Sequence, residues 1–555
     1  MQYRLAVVED NATARANLRS HLLSVGLFDV FSFSNGNELK SALKKQNFDI
    51  VVFDYHLGQR KNGVEWVRHL REAEFIRPST GVVFITADHA AHTIGHIIDI
   101  HPDVLLLKPY TIATLTRAMT QYVNFRREVH NVLSDLDNGN VQRAIREIEK
   151  VKLNNPNKRL LSEVNKLHAR VLMQAGFYAQ ARRIYDQVLA ASDRVLWAQW
   201  GKIKCQYLEG QFSHCKNNLS QLVSGNLSRD KAFEWLASLS FLEQSYTQAE
   251  FYLNHINDSE LSVPATKLKS MTYKKQNRVL EGIELLQKKR EFNRSTRERF
   301  DEFTYELAEF YLSIAEQSPV NQREESLSQA RKLIGIAGRG TADTLGAQKH
   351  DFLMAYAAVL DNDFKRAREL VSQENMEQLS RADASTLICA AKVWKSLGEA
   401  EKAADYMDFV REKLSDFTAI SDQVSNVQHM KESERQMGLA DDRALALNDT
   451  GTKLFVAKDY NKAMAYFFDA YDLMPNTAAF ALNLLNCLVD AKRHSFRTMT
   501  VKTLLEHLTS TPLEGNNLDR FNRLRQQIEA AAAYFLPPPQ TNEANIIPDA
   551  SVSAS

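Results

Sequence analysis

Short, mostly apolar runs recur along the first 125 residues, and each is the length of a strand. Each run is bounded by polar or turn-forming residues, which is the pattern of a strand buried on both faces. The runs occupy positions 5–8, 30–33, 50–53, 82–85 and 104–107.

Longer stretches with apolar residues at helical spacing separate these runs. Asn11 is placed to cap the first of them, and Leu18, Leu22 and Leu23 share one helical face. Near-continuous apolar strands that alternate with amphipathic helices predict a parallel sheet covered on both faces. The remaining helices are expected at 38–43, 64–70, 90–98 and 111–126.

Polar side chains stand where these strands end. In parallel sheets the functional groups lie outside the carboxyl ends of the strands, so we expect them along one edge. Three carboxylates at one edge would repel, and a hard divalent cation would neutralise them. The residues are Glu9, Asp10, Asp54, Thr86 and Lys108.

This set resembles the motifs of two-component receiver domains. The resemblance covers residues 1–125 and implies a flavodoxin-like, doubly wound domain of five parallel strands in the order 2-1-3-4-5. It is carried by Glu9-Asp10, the segment Val51 to Leu57, Gly63, Ile85-Thr86-Ala87 and Lys108-Pro109.

The resemblance also implies a role for each residue. Asp54 would be the phosphoacceptor, phosphorylated by a histidine kinase. Mg²⁺ would be held by Asp10, Asp54 and the backbone carbonyl of His56, with Glu9 acting through water. Lys108 would pair with the phosphoryl group, and the Thr86 hydroxyl would turn towards it as the switch.

Two departures from the family pattern affect the expected signal. Leu105 stands where the family often has Tyr or Phe as the partner of the threonine switch. His56 and Asp88 occupy the positions that tune the lifetime of the phosphoryl group, and they could shorten it or lengthen it.

Three histidines, His89, His92 and His96, are spaced to share one face of the fourth helix. A metal-binding or pH-sensing face is conceivable. An exposed polar face is the favoured interpretation, because no acidic or cysteine ligand completes the set.

From residue 126 to 535 the strand pattern stops and the composition is that of packed helices. Turns with an aromatic or apolar residue, followed three positions later by a small one or by Ile283, recur at positions 178, 212, 246 and 280. Their spacing is close to the 34-residue period of tetratricopeptide repeats. The spacing slips across an insertion near 290–325 and resumes at Phe364 and Ala400. The unit with the most consensus positions has Gly451, Leu454, Tyr460, Ala463, Phe467, Ala470 and Pro475.

The spacing favours a solenoid of repeats over an ordinary helix bundle. Residues 411–440 form a long polar helical stretch without repeat character, either a solvated connecting helix or a second boundary. The segment 536–555, beginning near Pro537, has the composition of a disordered tail.

Charge and composition restrict the function further. Lys and Arg (69) nearly balance Asp and Glu (68), so the chain lacks the basic excess of a dedicated nucleic-acid binder. The four cysteines have no zinc-ligand spacing and are expected to be reduced thiols. No signal peptide or membrane-spanning run is evident, so a cytoplasmic location is expected.

We therefore expect a bacterial response regulator, not an enzyme, whose repeat domain binds an unidentified signalling protein. The combination of domains is similar to that of VieB-type regulators, and homodimers are possible. Three alternatives stay open: a phosphate sink or adaptor that docks to a kinase, a nucleic-acid regulator that acts through its last helices, and a constitutive scaffold.

Overall fold

A computed structural model of the chain describes most of its length, in two compact units. Unit 1 comprises Met1–Cys205, Leu222–Lys231 and Lys288–Glu302, and unit 2 comprises Gln206–Gln221, Ala232–Gln287 and Phe303–Ser555. The described residues are 2–58, 61–154, 158–339, 344–372, 379–380, 382–415 and 419–536.

Unit 1 begins with the predicted five-stranded parallel sheet, in the order β2-β1-β3-β4-β5. β3 and β5 have the predicted bounds, and the other strands are one or more residues longer. The strands are β1 (Tyr3–Val8), β2 (Phe28–Phe33), β3 (Ile50–Phe53), β4 (Gly81–Thr86) and β5 (Val104–Leu107).

Five helices cover the two faces of this sheet. Leu5 and Val7 of β1 point to the face covered by α1 and α5, whereas Ala6 and Val8 point to the face covered by α2, α3 and α4. The flavodoxin-like receiver fold predicted from the sequence is confirmed. The helices are α1 (Ala12–Ser24), α2 (Gly36–Leu43), α3 (Gly63–Glu72), α4 (Ala91–Asp99) and α5 (Ile112–Glu128).

Side-chain caps fix where several of these helices begin. Asn11 caps α1 as predicted, its Oδ1 accepting from the Ala14 N–H at 3.0 Å. Asn62 and Glu65 form a reciprocal capping box at the start of α3. The start of α3 matters for function because it lies directly after the segment that carries Asp54.

Most of the described residues between 129 and 536 are helical. Consecutive helices pair as hairpins in the manner of tetratricopeptide solenoids. The helices in the first part are α6 (His130–Asp137), α7 (Val141–Asn154), α8 (Lys158–Gln174), α9 (Tyr178–Ala191), α10 (Leu196–Leu208), α11 (Phe212–Leu222), α12 (Arg229–Leu242), α13 (Tyr246–Leu253), α14 (Val263–Lys275) and α15 (Val279–Phe292).

The predicted turn positions mark the starts of the second helices of the repeats. Helices begin at Tyr178, Phe212 and Tyr246 as predicted, and at Val279, one residue before the predicted position. The spacing then slips because the next first helix, α16 (Arg297–Gln317), is 21 residues long and is followed by a 3₁₀ turn. The repeat pattern therefore continues through 290–325 as a longer hairpin.

The remaining helices complete unit 2 around two apolar clusters, one between 286 and 437 and one between 444 and 535. They are α17 (Glu324–Gly338), α18 (Thr344–Leu360), α19 (Phe364–Leu370), α20 (Ala384–Ser396), α21 (Ala400–Ser415), α22 (Ile420–Gln436), α23 (Ala440–Val456), α24 (Tyr460–Leu473), α25 (Ala478–Asp490), α26 (Val501–Ser510), α27 (Gly515–Ala530) and α28 (Ala532–Phe535).

Two expectations for the helical region need comment. The expectation of no further strand was wrong, since β6 (Ser495–Phe496) and β7 (Met499–Thr500) form a small antiparallel hairpin. The polar stretch 411–440 contains α22, which we call the insert helix; it is not a solvated connector, because Ile420 and Val424 are almost fully buried. The expected tail lies, from residue 537 onward, outside the described residues.

All four cysteines are buried and form no disulfide, as expected. Within the described ranges, none of the helices combines the length and the apolar character needed to cross a membrane.

Candidate functional site

The carboxyl ends of β1, β3 and β5 bring Glu9, Asp54 and Lys108 into direct contact. The Lys108 ammonium donates to Glu9 Oε2 at 2.8 Å and to Asp54 Oδ1 at 3.0 Å. Both carboxylates are buried, whereas Asp10 is exposed beside them. Glu9, Asp54 and Lys108 thus form one buried ionic cluster at the predicted edge, which we call the acid pocket.

Burial shapes the electrostatics of the acid pocket. Removal from water raises the pKa of Asp54, although the hydrogen bond from Lys108 opposes the shift. Burial also raises the pKa of Glu9, and the neighbouring Asp54 charge adds to that shift. The pKa of Lys108 is raised because its two carboxylate partners outweigh its own loss of solvation.

The backbone around Asp54 is held closely in place. The Asp54 N–H donates to the Val8 carbonyl at 3.0 Å, and Asp54 Oδ2 accepts from the His56 N–H at 3.0 Å. Gly63 packs so closely that a Cβ there would lie 2.4 Å from the Asp54 carbonyl oxygen and 2.9 Å from the Phe84 ring. Only glycine fits at this position, which gives a physical reason for Gly63 in the motif.

Thr86 lies at the end of β4 and is fully buried. Its hydroxyl accepts from the Asp88 N–H at 3.1 Å, and its carbonyl accepts from the Lys108 N–H at 2.7 Å. The neighbouring strand places Leu105 opposite Phe84, against the apolar cluster on that face of the sheet. In this arrangement the Thr86 hydroxyl is hydrogen-bonded to the backbone of the β4–α4 loop, close to where the loop begins.

His56 and Asp88, the two positions expected to tune the lifetime of the phosphoryl group, are in direct contact beside the acid pocket. His56 Nε2 and Asp88 Oδ2 are 2.9 Å apart. Burial opposes ionisation of Asp88, but hydrogen bonds from the Ala90 N–H, Thr93 and His56 outweigh it and lower its pKa to about 2. A carboxylate therefore persists there at any ordinary pH.

His89 and His96 of the predicted histidine face lie against different partners. His89 precedes α4 and its Nε2 lies 2.9 Å from the Lys108 carbonyl oxygen, while His96 Nδ1 lies 3.3 Å from the Tyr55 hydroxyl. The side chain of His92 is outside the described part of the structure. The two described rings point to different partners, which disfavours the metal-binding interpretation.

The donor set of the acid pocket suits Mg²⁺ chemically, because carboxylate and carbonyl oxygens are its preferred protein ligands. Lys108 draws Glu9 and Asp54 towards itself, and among the described side chains no three His, Cys, Asp or Glu residues are gathered at metal-ligand distances. Asp10 lies nearby, its Oδ2 3.3 Å from where a Cβ of Gly58 would be. These residues have the oxygen ligands that Mg²⁺ prefers. For the ion to bind, the carboxylates of Glu9 and Asp54 would have to interact with it as well as with Lys108.

Unit 1 also contains contacts that the sequence did not predict, between the sheet domain and helical segments. Glu65, in the capping box of α3, pairs with Arg299, and Lys61 Nζ lies 3.7 Å from Glu302 Oε1. On α4, a Cβ at Gly95 would come within 2.7 Å of the Leu227 carbonyl oxygen. These partners are more than 130 positions apart, so no local pattern could reveal them.

The strand order of the sheet and the residues gathered at its edge are those of a receiver domain. In agreement, the Response regulator receiver domain family matches residues 5–120. The N-terminal domain is thus a receiver, which supports a role in two-component signalling.

Solved structures with similar chains include two receivers and one helical assembly. The BeF3-activated DrrB receiver domain is 22% identical, with 22% of this chain and 99% of that chain covered and a TM-score of 0.20. Vibrio cholerae chemotaxis protein CheY4 is 19% identical, with 22% and 99% covered and a TM-score of 0.21.

The helical example is the APC/C hetero-tetramer Cut9–Hcn1, which is 15% identical, with 76% of this chain and 84% of that chain covered and a TM-score of 0.24. Likenesses at this level support no conclusion about activity or partners. A comparison with curated proteins found no match.

Proposed function

We propose that this protein is a response regulator in which phosphorylation of Asp54 controls protein binding by the helical region. The observation that supports this most is the Lys108 ammonium shared between Glu9 and Asp54. Such an arrangement holds a nucleophilic carboxylate beside a cation that can pair with an incoming phosphoryl group.

Asp54 is suited to accept a phosphoryl group from a phosphohistidine. Its oxygen attacks phosphorus, the new P–O bond forms as the P–N bond breaks, and the departing imidazole keeps the electron pair and takes a proton. Lys108 offsets the negative charge that gathers in the pocket. Mg²⁺, held by Asp10, Asp54 and the His56 carbonyl, with Glu9 acting through water, would supply further charge neutralisation when bound.

The effect of phosphorylation would pass to the rest of the protein from Thr86, at the end of β4, and Lys108, directly after β5. Turning the Thr86 hydroxyl towards a phosphoryl group breaks its bond to the Asp88 N–H and so loosens the β4–α4 loop. α4 carries Gly95, whose backbone lies against the Leu227 carbonyl. A shift of α4 would therefore displace the turn between α11 and α12, within segment 222–231 of the same unit.

The helical region would act by binding and not by catalysis, in the manner proposed for repeat solenoids generally. Its partner would be another signalling protein, with a histidine kinase acting on the receiver, as in VieB-type architectures. A phosphate sink would also be phosphorylated on Asp54, but phosphorylation would not change which proteins it binds. The experiments must therefore measure protein binding as well as labelling.

The first test measures labelling with acetyl phosphate and Mg²⁺ by intact mass spectrometry. The wild-type chain should gain one phosphoryl group, and D54A should gain none because the nucleophile is gone. D29A is the matched control, since it removes an exposed carboxylate from β2 and should label like the wild type. Equal labelling of D54A would refute the assignment of the phosphoacceptor.

The second test compares proteins retained by D54A and by wild type held with beryllofluoride and Mg²⁺. A partner retained by only one form would support a phosphorylation-gated binding function. Identical partners would favour an adaptor or scaffold, and retention of a DNA duplex at moderate salt would favour the nucleic-acid alternative.

A further inference from the structure

The insert helix lies across the first helices of several repeat hairpins in unit 2. The Ser421 hydroxyl donates to Glu234 of α12, and Glu432 Oε1 accepts from Lys275 Nζ of α14 at 2.6 Å. It also packs on α20. The first helices of repeat hairpins line the inner surface of such arrays, so the insert helix occupies a groove made by its own chain.

The C-terminal half of the insert helix is bonded to one helix that precedes it in the chain and to one that follows it. Glu434 Oε1 accepts from the Arg411 guanidinium of α21 at 2.7 Å, and Lys431 pairs with Asp472 of α24. These bonds are ionic, and the Glu434 carboxylate is itself almost fully buried. Met430 packs against the apolar cluster of unit 2 near the same end of the helix.

The face that the insert helix buries is mostly small and polar. Ser421, Ser425 and Ser433 are fully buried, whereas Ile420 and Val424 are the deeply buried aliphatic side chains. A fully apolar face would give a much stronger hydrophobic attachment than these hydroxyls do.

The fit between the insert helix and its groove is also imperfect. Ser425 Oγ, Ser433 Oγ and Asn426 Oδ1 are buried and have no hydrogen-bond partner in the described part of the chain. A buried polar atom without a partner loses its hydration and gains nothing in exchange. The groove therefore holds this helix less firmly than the burial of its backbone suggests.

The groove itself is strongly charged, with lysines prominent. Lys267 lies between Glu306, at 3.6 Å, and the Asp422 carboxylate of the insert helix. Lys274, Lys275 and Lys392 line the same surface, and Lys392 pairs with Glu316 at 2.9 Å. Such a surface suits a helix that presents carboxylates among small hydroxyl residues.

We infer that this groove is a helix-binding surface that the insert helix occupies reversibly, in competition with a partner. The occupant it fits is an α-helix of a partner protein that presents small hydroxyl side chains and a carboxylate positioned for Lys275. This inference rests on the proposed protein-binding function of the helical region. It adds the surface that is bound and the chemistry of the partner segment.

The test uses a fluorescent synthetic peptide of residues 419–437 as the probe and anisotropy as the readout. V424R should release the insert helix, because a bulky cation replaces a buried valine in a lysine-lined groove. The peptide should then bind V424R at least tenfold more tightly than it binds the wild type. A peptide carrying E432K should bind V424R at least tenfold more weakly than the unmodified peptide.

Q436R is the matched control, because it places the same arginine at an exposed position of the same helix. It should bind the peptide no better than the wild type does. A V424R protein with wild-type circular dichroism that fails to bind the peptide would overturn the inference, as would equal binding by V424R and Q436R.

Hydrogen exchange of the wild-type protein gives a second measurement that does not depend on V424R folding. Backbone amides of the insert helix should exchange at least tenfold faster than those at the centre of α14. Equally slow exchange of the two helices would show that the insert helix is a permanent part of the fold and not a displaceable helix.

These measurements use the unphosphorylated protein and no phosphodonor. If the peptide-binding and exchange measurements fail, the assignment of Asp54 still holds. If the labelling experiment fails, the inference about the groove still holds.

Discussion

At the scale of single residues, the sequence predicted which side chains converge but not how they bond. Glu9, Asp54 and Lys108 each follow a strand of a parallel sheet, so their meeting at one edge follows from topology alone. That Lys108 bonds both carboxylates, and that His56 reaches Asp88, depends on rotamers and loop geometry. Neither interaction can be predicted from the local pattern of apolar and polar positions.

The raised pKa of Asp54 predicts that its charge costs stability. A carboxyl group whose pKa is higher in the folded state than its usual 3.8 destabilises the fold as the pH rises above 3.8, until the folded pKa is passed. D54N has the same shape and no charge. Its free energy of unfolding in urea should exceed that of the wild type at pH 7.5, by more than it does at pH 4.5.

The same comparison for D29N is the control, because Asp29 is exposed. Its difference from the wild type should stay nearly constant between the two pH values. A D54N protein less stable than the wild type at pH 7.5 would contradict the argument from burial.

At the scale of elements, apolar periodicity predicted the helices and strands whose buried face is apolar. β3 and β5 have their predicted bounds because continuous apolar runs end at a polar residue. The β6–β7 hairpin was missed because two-residue strands are too short to have a period. The insert helix was recognised as a helix, but its burial was not, because most of its buried residues are polar, three of them serines.

Gly63 is the element-scale position where a single methyl group should matter. G63A would push α3 away from the Asp54 carbonyl, and overpacking of this kind costs about 1–3 kcal/mol. We expect a lower midpoint in urea and slower labelling by acetyl phosphate.

G335A is the control for that variant, because a Cβ at Gly335 in α17 has no neighbour within 4 Å. Alanine should stabilise that helix by about 0.5–1 kcal/mol. A G63A protein as stable and as readily labelled as the wild type would show that α3 does not position Asp54.

At the scale of the whole molecule, the sequence predicted a receiver followed by helical repeats, and the structure confirms both. It could not predict that segments 222–231 and 288–302 join the receiver in one compact unit. Those contacts link residues far apart in the chain, such as Glu65 with Arg299. Sequence patterns report local periodicity, and long-range docking depends on shape.

G95A should leave phosphorylation of Asp54 intact but abolish its effect on protein binding. A methyl group 2.7 Å from the Leu227 carbonyl would force α4 and that segment apart without touching the acid pocket. Labelling of Asp54 should be like that of the wild type. The set of proteins retained with beryllofluoride should no longer differ from the set retained by D54A, and an unchanged difference would place the transmission route elsewhere.

The insert helix also sets an order of events during synthesis. Ser421 and its partner Glu234 are 187 residues apart. At about 5–20 residues per second, the groove-forming helix α12 would be made roughly 9–37 s before Ser421. For that interval a nascent chain presents α12 without the insert helix, and a chaperone or a partner made nearby could bind there first.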